Sequence, residues 1–410
     1  MKHIFITNSN LLTRITDELP SNETRQSLVQ GLIQAYGLLE YCEVIDVEPI
    51  EYKELTLYHD SNFIRQLCIP RIETDQKSSE FDNLKNELNK LFDDVEDIEY
   101  EETRVDNDDL FGLSHDCYPF PFMRYYINLT AASTIQLFTK VREYVKCQQD
   151  QQVKKRVIGL NWYGGRHHCH KSKASGFCYI NDIVLGISII RRLTSKSRVF
   201  YLDLDLHNGD GVAEAFKFSS KVITCSIHRY DVGFYPNSGG LEESRFGMYN
   251  IPTDRGLTDE NVMWILQNIV INLINKHEPN YLVIQTGCDG LSTDPHKEWN
   301  LTMSGFDSAL QYLISNISID IPIMILGGGG YNDTETAKCW TYLTKSLIGS
   351  PIPKRLVDEA NEIPEHTMID HYEKDGYRFW TDLNSSPSKM QNQNDLIKLQ
   401  QIKDYILSIT

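Results

Sequence analysis

The sequence of Tyr201–Gly211 is YLDLDLHNGDG, and the rest of the chain is arranged around this motif. The apolar residues of Arg198–Leu202 predict a buried parallel strand that leads into it. Because side chains alternate along a strand, Asp203, Asp205 and His207 leave the strand end on one face. Two carboxylates and an imidazole that face together usually need a cation, and the combination suits Zn²⁺. A polar strand end followed by a His-Asn-Gly turn is the alternative for the motif taken alone.

The alternation of segments along the chain predicts the fold class. Helical stretches alternate with short apolar β runs over the 410 residues. This pattern favours an α/β fold in which one parallel sheet is covered by helices on both faces. An α/β domain of this length is common, so a single domain over residues 1–410 is expected.

Charge and cysteine content limit the partners. The 57 acidic residues outnumber the 40 basic ones, and the formal net charge is −17. This excess repels nucleic acid and suits a cationic partner such as a lysine-rich tail, although acidity can also serve solubility alone. The nine cysteines form no CxxC pair, which argues against a disulfide framework or a cysteine-rich zinc module. No signal peptide or long apolar run is found, so a soluble intracellular protein without membrane contact is expected.

Residues 73–110 differ in composition from the rest, since they are dense in mostly negative charge. Apolar residues recur there at three- and four-residue spacing: Phe81, Leu84, Leu88, Leu91 and Val95. They predict an amphipathic helix with Ser78 or Ser79 as its N-cap, followed by a disordered acidic stretch. The segment is either a partner-docking insertion or a solvated helix packed on its own domain, and the second interpretation is favoured.

Two adjacent histidines follow another predicted strand. The residues Val157–Asn161 predict that strand, and His167 and His168 lie beyond its carboxyl end. In open α/β sheets ligands bind at this edge. Adjacent imidazoles without local carboxylates are good proton-transfer groups near neutral pH. Cys169 and His170 are interpreted as flanking residues rather than ligands.

A further carboxylate lies beyond the predicted strand Tyr281–Gln285. This strand leads to Asp289 in the sequence GCDG. Together with Asp205 and His207, Asp289 makes a three-ligand set. Such a set leaves one zinc position open for water, as catalytic zinc sites require.

Two loops contribute further candidates. The predicted strand Pro322–Leu326 runs into GGGGYN, so that Tyr331 emerges at the same sheet edge. The glycine-rich loop lacks both common phosphate-binding patterns. Asp116 lies in the Pro- and aromatic-rich loop 110–122, where it could hold the backbone N–H groups of a substrate or form an Asx-turn.

Several motifs occur in order along the chain: NWYGGRHHCH, SGFCYIND, YLDLDLHNGDG, GFYP, GCDGLSTDP and GGGGYN. Together they make the chain resemble a class I zinc-dependent histone deacetylase of the fungal type, near the branch that includes cohesin deacetylases. The match covers nearly the whole chain, and residues 73–110 are the main departure in length. The resemblance implies one arginase/deacetylase-like domain with about eight mostly parallel strands. It also implies a chromatin regulator that represses transcription and resides in the nucleus, with the cytoplasm as a further location.

The resemblance also implies the roles of individual residues. Zinc would be held by Asp205, His207 and Asp289. The catalytic residues would be His167 paired with Asp203, His168 paired with Asp210, and Tyr331, whose hydroxyl donates to the acetyl carbonyl oxygen. The acyl-lysine tunnel and its rim would be formed by Asp116, Gly176, Phe177, Tyr235 and His296. A monovalent cation, K⁺, would be held by Asp203, Ser226 and the backbone carbonyls of Asp205, His207 and Ile227, and Arg25 would line an internal acetate channel.

The chemistry that this site implies is hydrolysis of an amide. Zinc polarises the amide carbonyl and acidifies water, while a histidine takes the proton and later protonates the leaving amine. His168 is favoured as the base, with His167 held largely for electrostatics. Fe²⁺ would accept the same ligands.

Some positions depart from the resemblance. Arg166 stands where an aromatic residue is usual, Asn208 replaces a second histidine, and Tyr235 replaces a common phenylalanine. Pro295 and Thr334 occupy positions at which several corepressor-bound relatives have arginines that contact an inositol phosphate. Corepressor docking of that kind is therefore not expected. The implied substrates are acetylated lysines of histones and of non-histone chromatin proteins such as a cohesin subunit.

Two other functions remain open at this stage. The chain could be a catalytically silent acetyl-lysine-binding scaffold, or an enzyme of the same fold that deacetylates small substrates such as acetylpolyamines. Every implied ligand and catalytic side chain is present, which favours an active protein deacetylase. A two-metal ureohydrolase would need the pattern DxHxD, whereas His207 is followed by Asn208 and Gly209, so that Asp210 falls one residue late.

Overall fold

The computed structural model describes residues 2–69, 79–96, 108–148, 154–349, 361–386 and 390–410. Within these residues eight strands form one sheet in the order β2-β1-β3-β8-β7-β4-β5-β6. The strands are Lys2–Thr7 (β1), Glu43–Ile45 (β2), Arg156–Asn161 (β3), Val199–Asp203 (β4), Val222–Arg229 (β5), Met248–Thr253 (β6), Tyr281–Gln285 (β7) and Ile323–Leu326 (β8). All neighbouring strands pair in parallel, which confirms the predicted sheet.

Thirteen α-helices surround the sheet over the same residues. They are Asn10–Thr16 (α1), Arg25–Ala35 (α2), Tyr52–Leu55 (α3), Ser61–Cys68 (α4), Ser79–Leu91 (α5), Met123–Gln148 (α6), Asp182–Leu193 (α7), Asp210–Phe216 (α8), Asp259–Ile265 (α9), Ile271–His277 (α10), Met303–Asn316 (α11), Asp333–Ile348 (α12) and Leu396–Ser408 (α13). A π-helical turn, Leu266–Val270, joins α9 to α10. Short 3-10 turns lie at Leu38–Tyr41, Asp109–Phe111, Leu241–Glu243 and Ile369–Asp375. Among the described residues no helix combines the length and the apolar character that a membrane crossing needs.

Both faces of the sheet are buried, as a parallel sheet requires. On strand β4, Phe200 and Leu202 belong to the apolar cluster that α2 and α9–α12 cover, whereas Val199 and Tyr201 belong to the cluster that α6 and α7 cover. Alternate residues of one strand therefore pack into opposite layers. Hence every residue of the strand is buried, and its first four residues, Val199–Leu202, form a continuous apolar run.

Local residues set the ends of several elements. Helix α2 ends at Ala35, because Gly37 adopts the left-handed conformation (φ 65°) and the chain continues in a 3-10 turn. Helices α3 and α4 are separate, and the Asp60 side chain caps α4 by accepting from the N–H of Asn62. Strand β6 was not predicted, since its sequence MYNIPT carries a proline and little apolar alternation.

Helix α5 occupies the centre of the acidic segment 73–110 and lies against its own domain. Leu84 and Leu88 are buried in the cluster that also holds side chains of α1 and α4, and Glu87 forms a 2.9 Å ion pair with Arg14. These contacts favour the interpretation of a solvated helix packed on the domain. The N-cap candidate Ser78 and the acidic stretch 97–107 lie outside the described residues. The assignment of 73–110 as an insertion stays a prediction.

The strand order places the site. Strands β3, β8, β7 and β4 are neighbours at the centre of the sheet. Parallel strands end at the same edge, so the segments that follow these four strands converge. Those segments carry the histidine pair, the glycine-rich loop, Asp289 and the motif after β4.

One buried histidine outside this edge fixes a loop of the site. His59 Nδ1 lies 3.2 Å from the carbonyl oxygen of Lys171, and its Nε2 accepts from the backbone N–H of Asn181 at 3.1 Å. This pair of bonds fits a neutral imidazole, because a protonated Nε2 could not accept. Burial lowers the pKa of His59 to about 3, although its backbone hydrogen bonds oppose the shift.

We expect His59 to make the protein less stable in acid. An unfolded histidine has a pKa near 6.5. As the pH falls from 6.5 towards 3, His59 is therefore protonated in the unfolded state but stays neutral in the folded state. This difference lowers the free energy of unfolding. Between pH 6.5 and 5.5 the wild type should lose about 1 kcal/mol more unfolding free energy than His59→Gln. Urea titrations at the two pH values measure this difference. The exposed control His371→Gln should follow the wild type, and equal losses in wild type and His59→Gln would contradict the neutral buried imidazole.

Candidate active site

The motif after β4 and the segment after β7 bring together a cluster that can hold a metal. Asp205, His207 and Asp289 each offer one ligand atom, and the three atoms lie within 4.8 Å of one another. All three residues are buried. The three-ligand set predicted from the sequence is thus assembled in one place.

Neighbouring groups fix the orientation of both carboxylates. Asp205 Oδ2 accepts from Gln285 Nε2 at 2.7 Å and from the backbone N–H of Gly329 at 2.9 Å. Asp289 Oδ1 accepts from the N–H of Leu206 at 3.0 Å. Gly287 cannot be any larger residue, because a Cβ there would collide with the carboxylate of Asp205. Such outer contacts orient metal ligands before the metal binds.

The electrostatics of the cluster favour a cation. His207 Nδ1 lies 2.9 Å from Asp289 Oδ2 and 3.4 Å from Asp205 Oδ1. Burial alone would lower the pKa of His207, but the two carboxylates outweigh it and raise this pKa to about 10. Burial, together with the charge of Asp205, raises the pKa of the Asp289 carboxyl. Both shifts show a site that attracts positive charge, and two carboxylates with one imidazole suit a divalent metal such as zinc.

Each histidine of the pair is bonded to its own carboxylate. His167 Nδ1 lies 2.9 Å from Asp203 Oδ2, and His168 Nδ1 lies 2.7 Å from Asp210 Oδ1. Burial and the neighbouring His167 lower the pKa of His168 to about 4, although Asp210 opposes them. Burial would also lower the pKa of His167, but Asp203 and Asp205 raise it to about 9. Before a metal binds, these shifts favour a neutral His168 and a protonated His167 near pH 7.

The sequence interpretation missed a continuation of this network. His170 Nε2 lies 3.2 Å from Asp210 Oδ2, and His170 Nδ1 lies 2.8 Å from Glu214 Oε2. Asp210 and Glu214 are one turn apart on α8, so both reach the same imidazole. The pKa of His170 is raised, chiefly by its hydrogen bond to Asp210. The spacing of Asp210 and Glu214 was the available signal.

Aromatic rings line the approach to the cluster. Tyr331 has its ring centroid 5.7 Å from that of Phe177 and 4.9 Å from that of His296, and its N–H donates to Asp294 Oδ2 at 2.8 Å. The Tyr235 ring lies 4.9 Å from His168 and 5.9 Å from His207. Phe234, to which no role was given, stacks on His207 at 5.4 Å. His296 lies 5.3 Å from His207 and its side chain is 35% exposed, so it stands at the entrance.

The loop that carries Gly176 is tightly packed. The N–H of Gly176 donates to Asp116 Oδ2 at 2.9 Å, so this aspartate holds the wall of the approach. Gly176 has φ 53°, and a Cβ there would collide with the His168 ring and the Tyr235 hydroxyl. Ser175 Oγ and the Tyr235 hydroxyl are 2.7 Å apart. These contacts bring three predicted tunnel and rim residues, Asp116, Gly176 and Tyr235, into one wall.

The residues predicted to hold a monovalent cation lie behind the cluster. Asp203 of β4 is the register partner of Ser226 of β5, and Ile227 follows it. Asp203 Oδ2 accepts from the Tyr201 hydroxyl at 2.7 Å. Ser226 Oγ lies 2.9 Å from His228 Nδ1.

Comparison with known proteins gives a consistent result. The histone deacetylase domain family matches residues 19–347. The chain is similar to histone deacetylase 8 of Xenopus tropicalis, with 34% identity over 383 residues that cover 92% of this chain and 89% of that protein. It is 30% identical to histone deacetylase HOS1 of Saccharomyces cerevisiae over 454 residues, with 93% of each chain covered. It is 31% identical to histone deacetylase 1 of Homo sapiens over 389 residues, which cover 94% of this chain and 70% of that protein.

We expect metal affinity to depend on the cluster. Asp289→Asn and His207→Ala should each weaken zinc binding more than 100-fold, since losing an outer contact alone typically costs about 10- to 100-fold. Competition with a chromophoric chelator, together with zinc counting by mass spectrometry, measures this change. Asp404→Asn, an exposed substitution on α13, should bind zinc like the wild type. Wild-type affinity in Asp289→Asn would place the metal elsewhere.

Proposed function

The chain belongs to the class I histone deacetylases and is a protein-lysine deacetylase, and we propose that Asp205, His207 and Asp289 form the zinc centre of this hydrolase. The observation that carries the proposal is the buried Asp–His–Asp cluster beside two carboxylate-paired histidines. When bound, zinc would polarise the acetyl carbonyl and acidify the attacking water. Fe²⁺ is the alternative metal, because oxygen and imidazole ligands suit it as well.

His168 is the general base in this proposal. It is neutral near pH 7, and its bond to Asp210 fixes the tautomer with the proton on Nδ1. Nε2 is then the atom that takes the proton from water and later gives it to the lysine amine. His167, protonated and bonded to Asp203, supplies positive charge beside the reacting groups.

Tyr331 is the hydrogen-bond donor to the oxyanion. Burial and the charges of Asp289 and Asp205 keep the pKa of its hydroxyl well above the usual value, so it carries its proton at pH 7. The bond from its N–H to Asp294 fixes its backbone at the end of the glycine-rich loop. A donor held in place before the reaction stabilises developing negative charge without reorganisation.

The wall residues define the substrate. Phe177 and Tyr235 offer ring faces to the aliphatic stem of an acetyl-lysine, and Gly176 lets the loop approach His168. An enclosed aromatic passage suits one unbranched side chain. Asp116 and His296 would contact the substrate backbone at the entrance.

The substrate protein, the cellular location and the K⁺ site are also part of this proposal. We infer acetylated histone tails as substrates and a nuclear role, because the similar proteins carry histone deacetylase in their names. The net charge of −17 suits a lysine-rich tail. Asp203, Ser226 and Ile227 are the proposed K⁺ residues, since the first two face each other across β4 and β5. A cohesin subunit, a cytoplasmic pool and the absence of inositol-phosphate docking stay predictions.

Acetate release from an acetyl-lysine histone-tail peptide tests the assignment of the catalytic residues. Tyr331→Phe and His168→Ala should each lower kcat at least 100-fold, since acid–base and oxyanion contacts typically contribute about that much. KM should change far less than kcat. Tyr405→Phe, a distant Tyr→Phe control on α13, should keep full activity.

The same assay separates the alternatives. An acetylated polyamine offered in parallel should be a poorer substrate than the peptide, and the reverse preference would indicate a small-substrate deacetylase. Zinc-loaded wild type that binds the peptide and releases no acetate would indicate a silent scaffold. Full activity of both Tyr331→Phe and His168→Ala would overturn the assigned roles.

A further inference from the structure

A third histidine, His170, lies beside the pair that the proposed mechanism uses. Its Nε2 lies 3.2 Å from Asp210 Oδ2, whereas Oδ1 of the same carboxylate lies 2.7 Å from His168 Nδ1. On its other side, His170 Nδ1 lies 2.8 Å from Glu214 Oε2. The four side chains therefore form one row of polar contacts that leads from the proposed general base to the surface. The mechanism described above gives no part to His170 or to Glu214.

The two contacts of His170 indicate the charge that its ring carries. Ionised carboxylates accept hydrogen bonds and cannot donate them. Because both ring nitrogens of His170 face carboxylate oxygens, a proton on each nitrogen is favoured, and an imidazole with two N–H groups is a cation. The hydrogen bond to Asp210 is the main reason that the pKa of His170 is raised, and Glu214 adds to the rise while burial opposes it. His170 thus places a positive charge against the carboxylate that orients His168.

The backbone holds the segment of His170 in place. The N–H of His170 donates to the carbonyl oxygen of Lys173 at 2.9 Å, and the carbonyl oxygen of Lys171 accepts from the N–H of Asp60 at 3.0 Å. Helix α8 begins directly against this segment, since a Cβ at Gly211 would collide with the backbone of the histidine pair. Ion pairs between flexible exposed side chains contribute little, because both side chains must first be ordered. Here the backbones that carry the ring and the carboxylate are already fixed.

The arrangement divides the two oxygens of Asp210 between two imidazoles. Oδ1 is bonded to His168, and Oδ2 faces His170. A carboxylate that is held at one oxygen alone can rotate about its Cβ–Cγ bond, and the imidazole bonded to it then turns as well. Contacts at both oxygens restrict this rotation. A general base that is held in one orientation reacts faster than one that must find it.

We propose that His170 is a positioning residue, which fixes the Asp210 carboxylate through Oδ2 so that Oδ1 holds the His168 ring in its reactive orientation. Glu214 holds the far side of the His170 ring. The inference rests on the proposed function, because the base that it orients is the base proposed there. Since His170 acts on the base and not on the substrate, its loss should change kcat and leave KM nearly constant.

Release of acetate from the histone-tail peptide by the zinc-loaded protein tests this role. His170→Ala should lower kcat about tenfold and change KM by less than about twofold, since contacts one shell outside a site typically contribute about 10- to 100-fold. His170→Lys, which keeps a cation with N–H donors, should recover most of kcat, and the uncharged His170→Gln should lie between the two variants. His371→Ala, which removes an exposed histidine, should keep full activity.

A double-mutant cycle shows whether His170 acts through Asp210. Asp210→Asn should lower kcat more than His170→Ala does. Adding His170→Ala to Asp210→Asn should then cost less than about twofold, because the carboxylate that His170 positions is already lost. A further tenfold loss in the double variant would show an independent effect and overturn the proposal. Unchanged kcat in His170→Ala would overturn it too, even with a lower thermal midpoint, because His170 would then only anchor its loop.

A measurement without catalysis separates this inference from the proposed function. In the NMR spectrum of zinc-loaded protein labelled with ¹⁵N-histidine, both ring nitrogens of His170 should carry protons at pH 7. The Nδ1 proton of His168 should exchange with water about tenfold faster in His170→Ala than in the wild type, since a rotating carboxylate protects it less. Equal exchange rates, or a neutral His170 ring, would overturn the positioning role. If the wild type does not cleave the acetyl peptide, the proposed function fails, while the exchange rates still decide whether His170 positions Asp210.

Discussion

Repulsion between two buried carboxylates is the constraint on which the rest of the site depends. Asp205 and Asp289 come from the ends of neighbouring strands, and His207 lies against both of them. Two carboxylate charges are costly to bury close together unless a cation lies between them. Hydrogen bonds donated by Gln285, Gly329 and Leu206 hold the carboxylate oxygens in place, and they offset part of the repulsion between the two carboxylates.

The charges around the cluster are arranged in separate layers. Behind it, Asp203 keeps His167 protonated, and beside it Asp210 holds a neutral His168 in one tautomer. The buried guanidinium groups of Arg25 and Arg166 line the same space as His168, Asp205 and Tyr331.

Much of this site could be predicted from the sequence, because its residues follow strand ends and strand ends are marked by apolar runs. The sequence placed Asp205, His207 and Asp289 together, since parallel strands share a carboxyl edge. It could not show that Phe234 stacks on His207, because that contact joins separate loops. That His170 shares Asp210 with His168 was signalled only by the one-turn spacing of Asp210 and Glu214 on α8. Nor could it show that the guanidinium edge of Arg166 is unpaired, which depends on where Asp182 directs its oxygens. Strand β6 was missed because burial by neighbours, rather than its own pattern, makes it a strand.

The most direct test of the central claim is the zinc X-ray absorption spectrum of the loaded protein. The account predicts only oxygen and nitrogen neighbours, at about 2.0–2.2 Å, with the outer-shell scattering of a single imidazole. The nine cysteines make a sulfur-ligated site the main competitor. A Zn–S distance near 2.3 Å, or scattering from several imidazoles, would contradict the Asp205–His207–Asp289 centre.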